Sequence, residues 1–234
     1  MRPPLVGGII AAGEGRRLRR DGFAMPKPMV PIAGVPLIES VIRNLRAAGA
    51  APLVVIVNEQ ERECADWVRS RFPGLAVEFV VKTTRSSLES FVEVVSRGGG
   101  GRMLVSTVDA WCLEADFVRF VAAALARPPE ATVLAATPFV ADENPLRVSV
   151  DAAGRVLRLG GPTGDLVTAG MYLVSERVRR LAPPAGLGRL REFLGWLHRE
   201  GEPLFGEVIR TVVDVDRADD VALAEALALA GRVS

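Results

Sequence analysis

The stretch that decides the fold is Leu5-Val6-Gly7-Gly8-Ile9-Ile10-Ala11, which runs directly into Ala12-Gly13-Glu14-Gly15-Arg16-Arg17-Leu18. Its first seven residues are a short apolar run of the kind a strand buried in the middle of a parallel sheet shows. The loop that follows has a different chemistry. Gly13 and Gly15 permit backbone angles that other residues avoid, and they let a phosphate approach main-chain N–H groups closely. Arg16 and Arg17 add guanidinium forks that match phosphate oxygens two at a time. Two well-known phosphate loops fail on spacing: there is no Gly-Lys-Ser/Thr end, and the dinucleotide fingerprint needs a third glycine where Leu18 stands. Taken alone, the loop reads equally as a phosphate cradle or as a tight turn with solvated arginines.

Working outward, apolar runs alternate with helical periods. Strands are predicted over Pro52–Val57, Ala76–Lys82, Arg102–Thr107 and Thr132–Thr137. Helices are predicted over Pro36–Ala48, Glu59–Phe72, Ser87–Val95 and Phe117–Ala126. In the first helix Ile38, Val41, Ile42 and Leu45 share one face and Gly49 ends it. Strand–helix alternation with short links predicts a doubly wound, mostly parallel α/β sheet covered on both faces. After Pro138 the pattern changes. Leu146–Val150 and Arg155–Leu159 flank Asp151-Ala152-Ala153-Gly154 as a hairpin. A strand over Leu166–Val174, helical segments at Glu176–Leu181 and Leu190–Glu200, a last strand over Val208–Val215 and a helix over Arg217–Ala230 complete a small α+β lid. Gly98–Gly101 reads as a flexible turn. The expected organisation is one domain over residues 1–234, with a first half at 1–137 and a second at 138–234.

Composition narrows the function. The chain has 234 residues, 49% hydrophobic and 24% charged, as soluble globular proteins have. A net charge of +1 gives no support to a general nucleic-acid or membrane-surface role. The charge is uneven, however: residues 1–27 carry six basic against two acidic side chains. Only Cys64 and Cys112 are present, without a Cys-x-x-Cys pair, which excludes a disulfide scaffold and a cysteine zinc site. A single histidine, His198, removes any His-rich metal site. Arg2 followed by the apolar run from Leu5 to Ala12 mimics a signal peptide, but Pro3, Pro4 and the basic cluster behind the run argue against one. No stretch approaches the ~18 consecutive apolar residues of a membrane span. A cytoplasmic protein is expected.

A second motif follows the loop: Pro26-Lys27-Pro28-Met29-Val30-Pro31-Ile32-Ala33-Gly34-Val35-Pro36-Leu37-Ile38-Glu39. Proline on either side of Lys27 predicts an extended chain that presents the lysine as a placed point charge. Together the two stretches resemble the sugar nucleotidyltransferase superfamily, with its Ala-Ala-Gly-x-Gly-(Thr)-Arg-Leu/Met loop, Pro-Lys-Pro and Gly-x-Pro-Leu-Ile helix start. The resemblance is specific over residues 5–49 and continues to the C-terminus. It implies a Rossmann-like sheet of the nucleotide-diphospho-sugar transferase type.

The resemblance also implies roles. Arg17 fills the family's arginine position, and Arg16 stands where a small or hydroxyl residue is usual. Arg17 and Lys27 become the catalytic cations. Ile10, Ala11, Ala12, Gly13 and Gly15 contact the nucleotide, as do Ser86 and Ser87, in a region that passes under the base. For Ser86 and Ser87 plain helix capping is the rival reading. Asp109, at the end of Met103–Val108, binds nucleotide and magnesium at the sheet's C-terminal edge, where ligands of open parallel sheets lie. Asp214 supplies the second metal carboxylate, with Asp216 in reserve, while Asp219 and Asp220 favour the start of the last helix. Gly170 and Tyr172 face the acceptor.

The activity implied is transfer of a nucleotidyl group from a nucleoside triphosphate to a phosphorylated sugar or similar small phosphate, with Mg2+ as cofactor and pyrophosphate released. The partners are those two small molecules, with no nucleic acid and no membrane. Two other readings compete. One is an NAD(P)-binding oxidoreductase, which Leu18 and the lack of a clear ribose acid after the second strand count against. The other is a relative that binds nucleotide without catalysis, which retention of Arg17, Lys27, Asp109 and Asp214 disfavours. The nucleobase, the acceptor and the oligomeric state stay open.

Overall fold

The computed structural model describes residues 5–139 and 145–231. In chain order the first half comprises β1 (Val6–Ala11), α1 (Arg16–Arg20), a small hairpin β2 and β3 (Pro31–Ile32 and Val35–Pro36), α2 (Leu37–Ala47), β4 (Leu53–Val57), α3 (Arg62–Arg71), β5 (Val77–Val81), α4 (Ser87–Val95), β6 (Met103–Thr107), β7 (Ala110–Trp111), α5 (Glu114–Ala126) and β8 (Thr132–Thr137). The second half adds β9 (Arg147–Val150), β10 (Val156–Leu159), β11 (Leu166–Val174), α6 (Glu176–Arg179), α7 (Leu190–Arg199), β12 (Leu204–Val208), β13 (Val213–Asp214) and α8 (Ala218–Ala230).

The central strand is the one the opening stretch predicts. All six residues of β1 are buried, and it pairs in parallel with β4 on one side and β6 on the other. Its two glycines make room for neighbours. A Cβ at Gly7 would lie 2.5 Å from Leu53 Cδ2, and one at Gly8 2.5 Å from Val94 Cγ1. Glycine inside a strand marks such close approach. The main sheet runs β10-β9-β11-β6-β1-β4-β5, with β8 also on β11 and β12 beyond it. Strands β6, β1, β4 and β5 are mutually parallel, and β11 is antiparallel to each of its partners. One apolar core lies under α2, α3, α5 and α8 and the other under α4 and α7. The sheet is therefore wound on both faces, and the mixed half beyond residue 138 extends it.

Several element boundaries differ from the sequence expectation. The last strand is not Val208–Val215. Two strands stand there instead: β12, Leu204–Val208, in parallel register with β8, and β13, Val213–Asp214, which pairs separately with β7. The Thr137 hydroxyl donates to the Arg210 carbonyl at 3.1 Å and draws the chain out of the ladder between them. Lys27 is not in an extended segment either. Pro26 is extended, but Lys27–Met29 form a 3-10 turn closed by Val30 N–H on the Lys27 carbonyl at 3.1 Å. The segment predicted as one helix over Glu59–Phe72 opens with a separate 3-10 turn, Glu59–Glu61, capped by the Asn58 side chain. The helix predicted from Phe117 starts at Glu114, and the short α1 had no sequence signal strong enough to announce it.

The glycine turn at residues 98–101 is held rather than loose. Arg179, buried at 7% exposure, donates to the carbonyls of Val95 (2.9 Å), Gly101 (2.6 Å), Arg97 (2.5 Å) and Gly99 (2.7 Å). Charged hydrogen bonds are individually strong, and four carbonyls would lose their donor together. Arg179→Met is expected to lower stability by about 2–4 kcal/mol, read as a lower urea midpoint at unchanged slope. A midpoint equal to the parent's would show that solvent replaces the clamp at no cost. Cys64 and Cys112 are both buried and unpaired with each other. Among the described residues no helix is long and apolar enough to cross a membrane.

Candidate active site

The site assembles at the C-terminal ends of β1 and β6, where the loop after β1 meets two later segments. Gly15 has φ 59°, and a Cβ there would lie 2.8 Å from Lys27 Cβ. The glycine thus serves two ends: it turns the chain into α1, and it lets the 3-10 turn bearing Lys27 pack against the loop. Lys27 is 5% exposed. Its ammonium donates to Asp109 Oδ2 and to Asp216 Oδ1, each at 2.5 Å. Arg17 Nη1 donates to the other oxygen of Asp216 at 2.9 Å.

The late carboxylates reach Asp109 through a small piece of β structure. Val213 and Asp214 pair with Trp111 and Ala110, and Val215 N–H donates to the Asp109 carbonyl at 3.0 Å. Side chains alternate along an extended segment. Val213 and Val215 are both fully buried, so Asp214 and Asp216 project the other way. Carboxylate oxygens of Asp109, Asp214 and Asp216 lie within 4.8 Å of one another. Asp220 then accepts from Asp216 N–H at 2.9 Å and Arg217 N–H at 2.8 Å, fixing the entry to α8.

Charge explains the protonation states. Burial pulls the Lys27 ammonium down, but the Asp109, Asp216 and Asp214 carboxylates outweigh it and hold the group charged above the ordinary lysine range. Burial pushes Asp109 up, and Lys27 together with the Thr107 hydroxyl more than reverses this, so Asp109 stays ionised. Tyr172 is raised, by burial first and then by Asp109 and Asp214. It stands as a neutral phenol donor. An all-oxygen cluster of this kind suits a hard divalent cation, and the Lys27 ammonium bridging two of its members marks a place where the fold already holds positive charge. The donor set therefore fits magnesium.

Beside the cluster is a cavity of about 320 Å³. It is lined by Asp109 and Asp214, by a β11 wall that includes Thr168, Gly170 and Tyr172, and by Ser87 and Arg191. The wall is shaped by an irregularity in β11, whose register against β8 shifts between Thr168 and Tyr172. Gly170 has φ 69°, and a Cβ there would lie 2.6 Å from Thr107 Oγ1 and 3.0 Å from Ala110 Cβ. Gly170→Ala is expected to cost about 1–2 kcal/mol in backbone strain alone, measured by chemical denaturation, and more as Thr107 is displaced from Asp109. Unchanged stability would mean that β11 relaxes into another conformation here.

The residues singled out from sequence divide as follows. Arg17, Lys27, Asp109, Asp214 and Asp216 converge, with Gly15 packed on Lys27. Ile10 and Ala11 end the central strand and Ala12 follows it; all three are buried, and the Ala12 carbonyl accepts from Asn58 Nδ2 at 3.5 Å. A Cβ at Gly13 would meet nothing within 4 Å. Ser87, Gly170 and Tyr172 line the cavity. Ser86 instead caps α4, accepting from Glu89 N–H at 3.1 Å, and Arg16 turns to Glu14. Asp216, which stood in reserve, is the carboxylate that joins both cations. Sequence reasoning missed Arg191. It stands at the start of α7, where a cation opposes the helix dipole, and that mismatch was the available signal.

Comparison with known proteins gives a family and a fold. Residues 7–164 match the MobA-like NTP transferase domain family. The chain is 28% identical over 196 residues to the CMP-5'-(3-aminopropyl)phosphonate synthase of Streptomyces rubellomurinus, covering 76% of this chain and 29% of that protein. It is 31% identical over 238 residues to the bifunctional IPC transferase and DIPP synthase of Rubrobacter xylanophilus, covering 94% and 51% respectively. The chain thus spans between about a quarter and a half of these curated relatives. The inositol-1-phosphate CTP transferase from T. maritima superposes with a TM-score of 0.83 at 17% identity, over 97% of each chain.

Proposed function

Because the chain belongs to the MobA-like NTP transferase domain family, we propose that it moves a nucleotidyl group from a nucleoside triphosphate to a small phosphorylated acceptor. The family's description as an NTP transferase domain favours that chemistry over hydride transfer on a dinucleotide. The observation that carries the reading is the convergence of Arg17 and Lys27 on the three-carboxylate cluster beside an open cavity. Anionic substrates then meet cations from one side and carboxylates able to hold a divalent ion from the other.

In this reading an acceptor phosphate oxygen attacks the α-phosphorus in line. The bond from that phosphorus to the bridging oxygen of the β-phosphate breaks, and pyrophosphate leaves with the electron pair. An ionised phosphate is already a nucleophile at neutral pH, so no protein base is needed, and catalysis rests on placement and charge. Lys27 reaches the phosphates near the reacting centre. Arg17 and the Gly13–Gly15 main chain hold the departing pyrophosphate. Magnesium, held by Asp109 with Asp214 and Asp216, supplies positive charge that offsets the triphosphate. Ile10–Ala12 and Ser87 border the nucleotide, while Gly170 and Tyr172 face the acceptor. The same reading makes residues 1–137 the nucleotide half and 138–234 the acceptor half of one domain, working in the cytoplasm.

The test is pyrophosphate release from each of four nucleoside triphosphates with Mg2+ against a panel of sugar, polyol and amino-alcohol phosphates and phosphonates. Release that needs one triphosphate, one acceptor class and the divalent ion is the expected result. A panel with no release, from protein that nevertheless binds triphosphate, would leave nucleotide binding without transfer.

A further inference from the structure

The helix that carries Arg17 does not hold its own shape. α1 has five residues, Arg16–Arg20, of which Leu18 is buried and the other four are arginines. Helices this short do not persist on local bonds alone. This one opens with cations against its dipole and has no acid in its first turn, and Arg16 stands one turn from Arg19 and Arg20, where like charges repel. The helix is held from outside. Arg17 and Arg19, two residues apart, point to nearly opposite sides of the axis, and each meets a carboxylate from elsewhere in the chain. Asp216 accepts from Arg17 at 2.9 Å, and Glu61 accepts from Arg19 at 3.0 Å. Just past the helix, the Asp21 side chain accepts from Ala218 N–H at 3.0 Å.

The two carboxylates that hold the arginines are not equivalent. Asp216 belongs to the reacting centre, and in the transfer reading Arg17 leaves it for the phosphates. Glu61 is 1% exposed and sits in the 3-10 turn after β4, which Asn58 fixes. The Asn58 side-chain oxygen accepts from Gln60 N–H at 3.0 Å and from the Thr83 hydroxyl at 3.1 Å. Stability does not explain a glutamate at position 61. Burial pushes its carboxyl up, against the pull of Arg19, and Glu63 and Glu14 add to the rise. Its second oxygen has no hydrogen-bond partner among the described residues. A buried charge paired on one side only is a poor stabiliser. What Glu61 does is fix Arg19, and through it the helix that begins after Gly15. Resting on the nucleotidyl-transfer reading, we propose that Glu61 is a positioning residue for triphosphate binding. Through Arg19 it keeps α1 in place, and with it Arg17 and the Gly13–Gly15 main chain, when Arg17 turns from Asp216 to the phosphates.

Inorganic pyrophosphate with Mg2+ is the probe, because it requires no choice of nucleobase; its binding to the full chain is measured by calorimetry. Glu61→Gln keeps the size of the side chain and removes its charge. Loss of a nearby negative charge, acting alone, strengthens anion binding. The expected result is the opposite, an affinity lowered roughly tenfold, on the scale of coupling within one ion-pair network. Arg19→Gln, at a side chain 46% exposed, is the second variant and should show a loss of similar size. Glu61→Gln combined with Arg17→Gln should bind little worse than Arg17→Gln alone, because one residue acts through the other, whereas a general loosening of the fold would add its loss in full. Mn2+ affinity without pyrophosphate, followed by electron paramagnetic resonance, should not fall in Glu61→Gln, which leaves all three cluster carboxylates in place. Unchanged or tighter pyrophosphate binding by Glu61→Gln, parent-like binding by Arg19→Gln, additive losses in the combined variant, or Mn2+ affinity falling together with pyrophosphate affinity would each overturn the proposal. So would a parent that binds no pyrophosphate. Failure of the transfer reading has another signature: a parent that binds pyrophosphate in a Glu61-dependent way yet releases none from any triphosphate and acceptor.

Discussion

Asp109→Asn should lower the rate of pyrophosphate release by about 10²–10³, the loss typical of removing one preorganised charge-stabilising group. The substitution keeps size and shape and removes one negative charge. In the parent, Asp109 accepts from Lys27 at 2.5 Å and lies within 4.8 Å of the Asp214 and Asp216 oxygens. Lys27 retains Asp216 in the variant, so the fold should survive, and unchanged circular dichroism with a melting temperature close to the parent's would establish that. Divalent-ion affinity, followed with Mn2+ by electron paramagnetic resonance, should fall along with the rate. A variant within about threefold of the parent rate would take Asp109 out of the mechanism, given that group's usual weight.

Lys27→Met should be as damaging to turnover, by about 10³, and its effect on stability has an opposite partner. The ammonium is buried and bridges two carboxylates. Its removal leaves Asp109, Asp214 and Asp216 facing one another, with Arg17 still paired to Asp216. Breaking a buried pair from one side usually costs ~3–5 kcal/mol. Here the carboxylates are 24% and 34% exposed, and solvent screening brings the expected cost down to about 1–2 kcal/mol. Adding Mg2+ should therefore raise the melting temperature of the variant more than that of the parent, because the ion substitutes for the missing charge. Equal shifts in both proteins would mean that Lys27 and the divalent ion do not share the cluster.

Much of this was legible in the sequence, for physical reasons that differ by element. The central strand and the helix bearing Ile38, Val41, Ile42 and Leu45 announced themselves because burial on both faces, or on one stripe, leaves a simple pattern. The break between β12 and β13 did not. The β-branched and apolar residues on both sides of Arg210 hide it, and its cause is a hydroxyl on a distant strand, Thr137. Lys27 was findable from its flanking prolines, yet its turn depends on carbonyl contacts that proline rules do not encode. Asp214 and Asp216 looked like alternatives when read as a motif. Read as residues two apart on an extended segment, they share a side, and both reach Asp109. Ser86 shows the rival reading alongside: its hydroxyl accepts from Glu89 N–H at the start of α4, and it keeps a proton of its own to donate.

The alternation Val213-Asp214-Val215-Asp216 has a consequence for tolerance to insertion and deletion. Sliding this short ribbon by one position against Ala110–Trp111 would drive two ionised groups into a packed interior and push two valines into water. That double penalty makes misalignment far costlier than an ordinary surface slip. Whatever chemistry the cluster performs, the same four side chains act as a lock that admits one alignment of the chain's end.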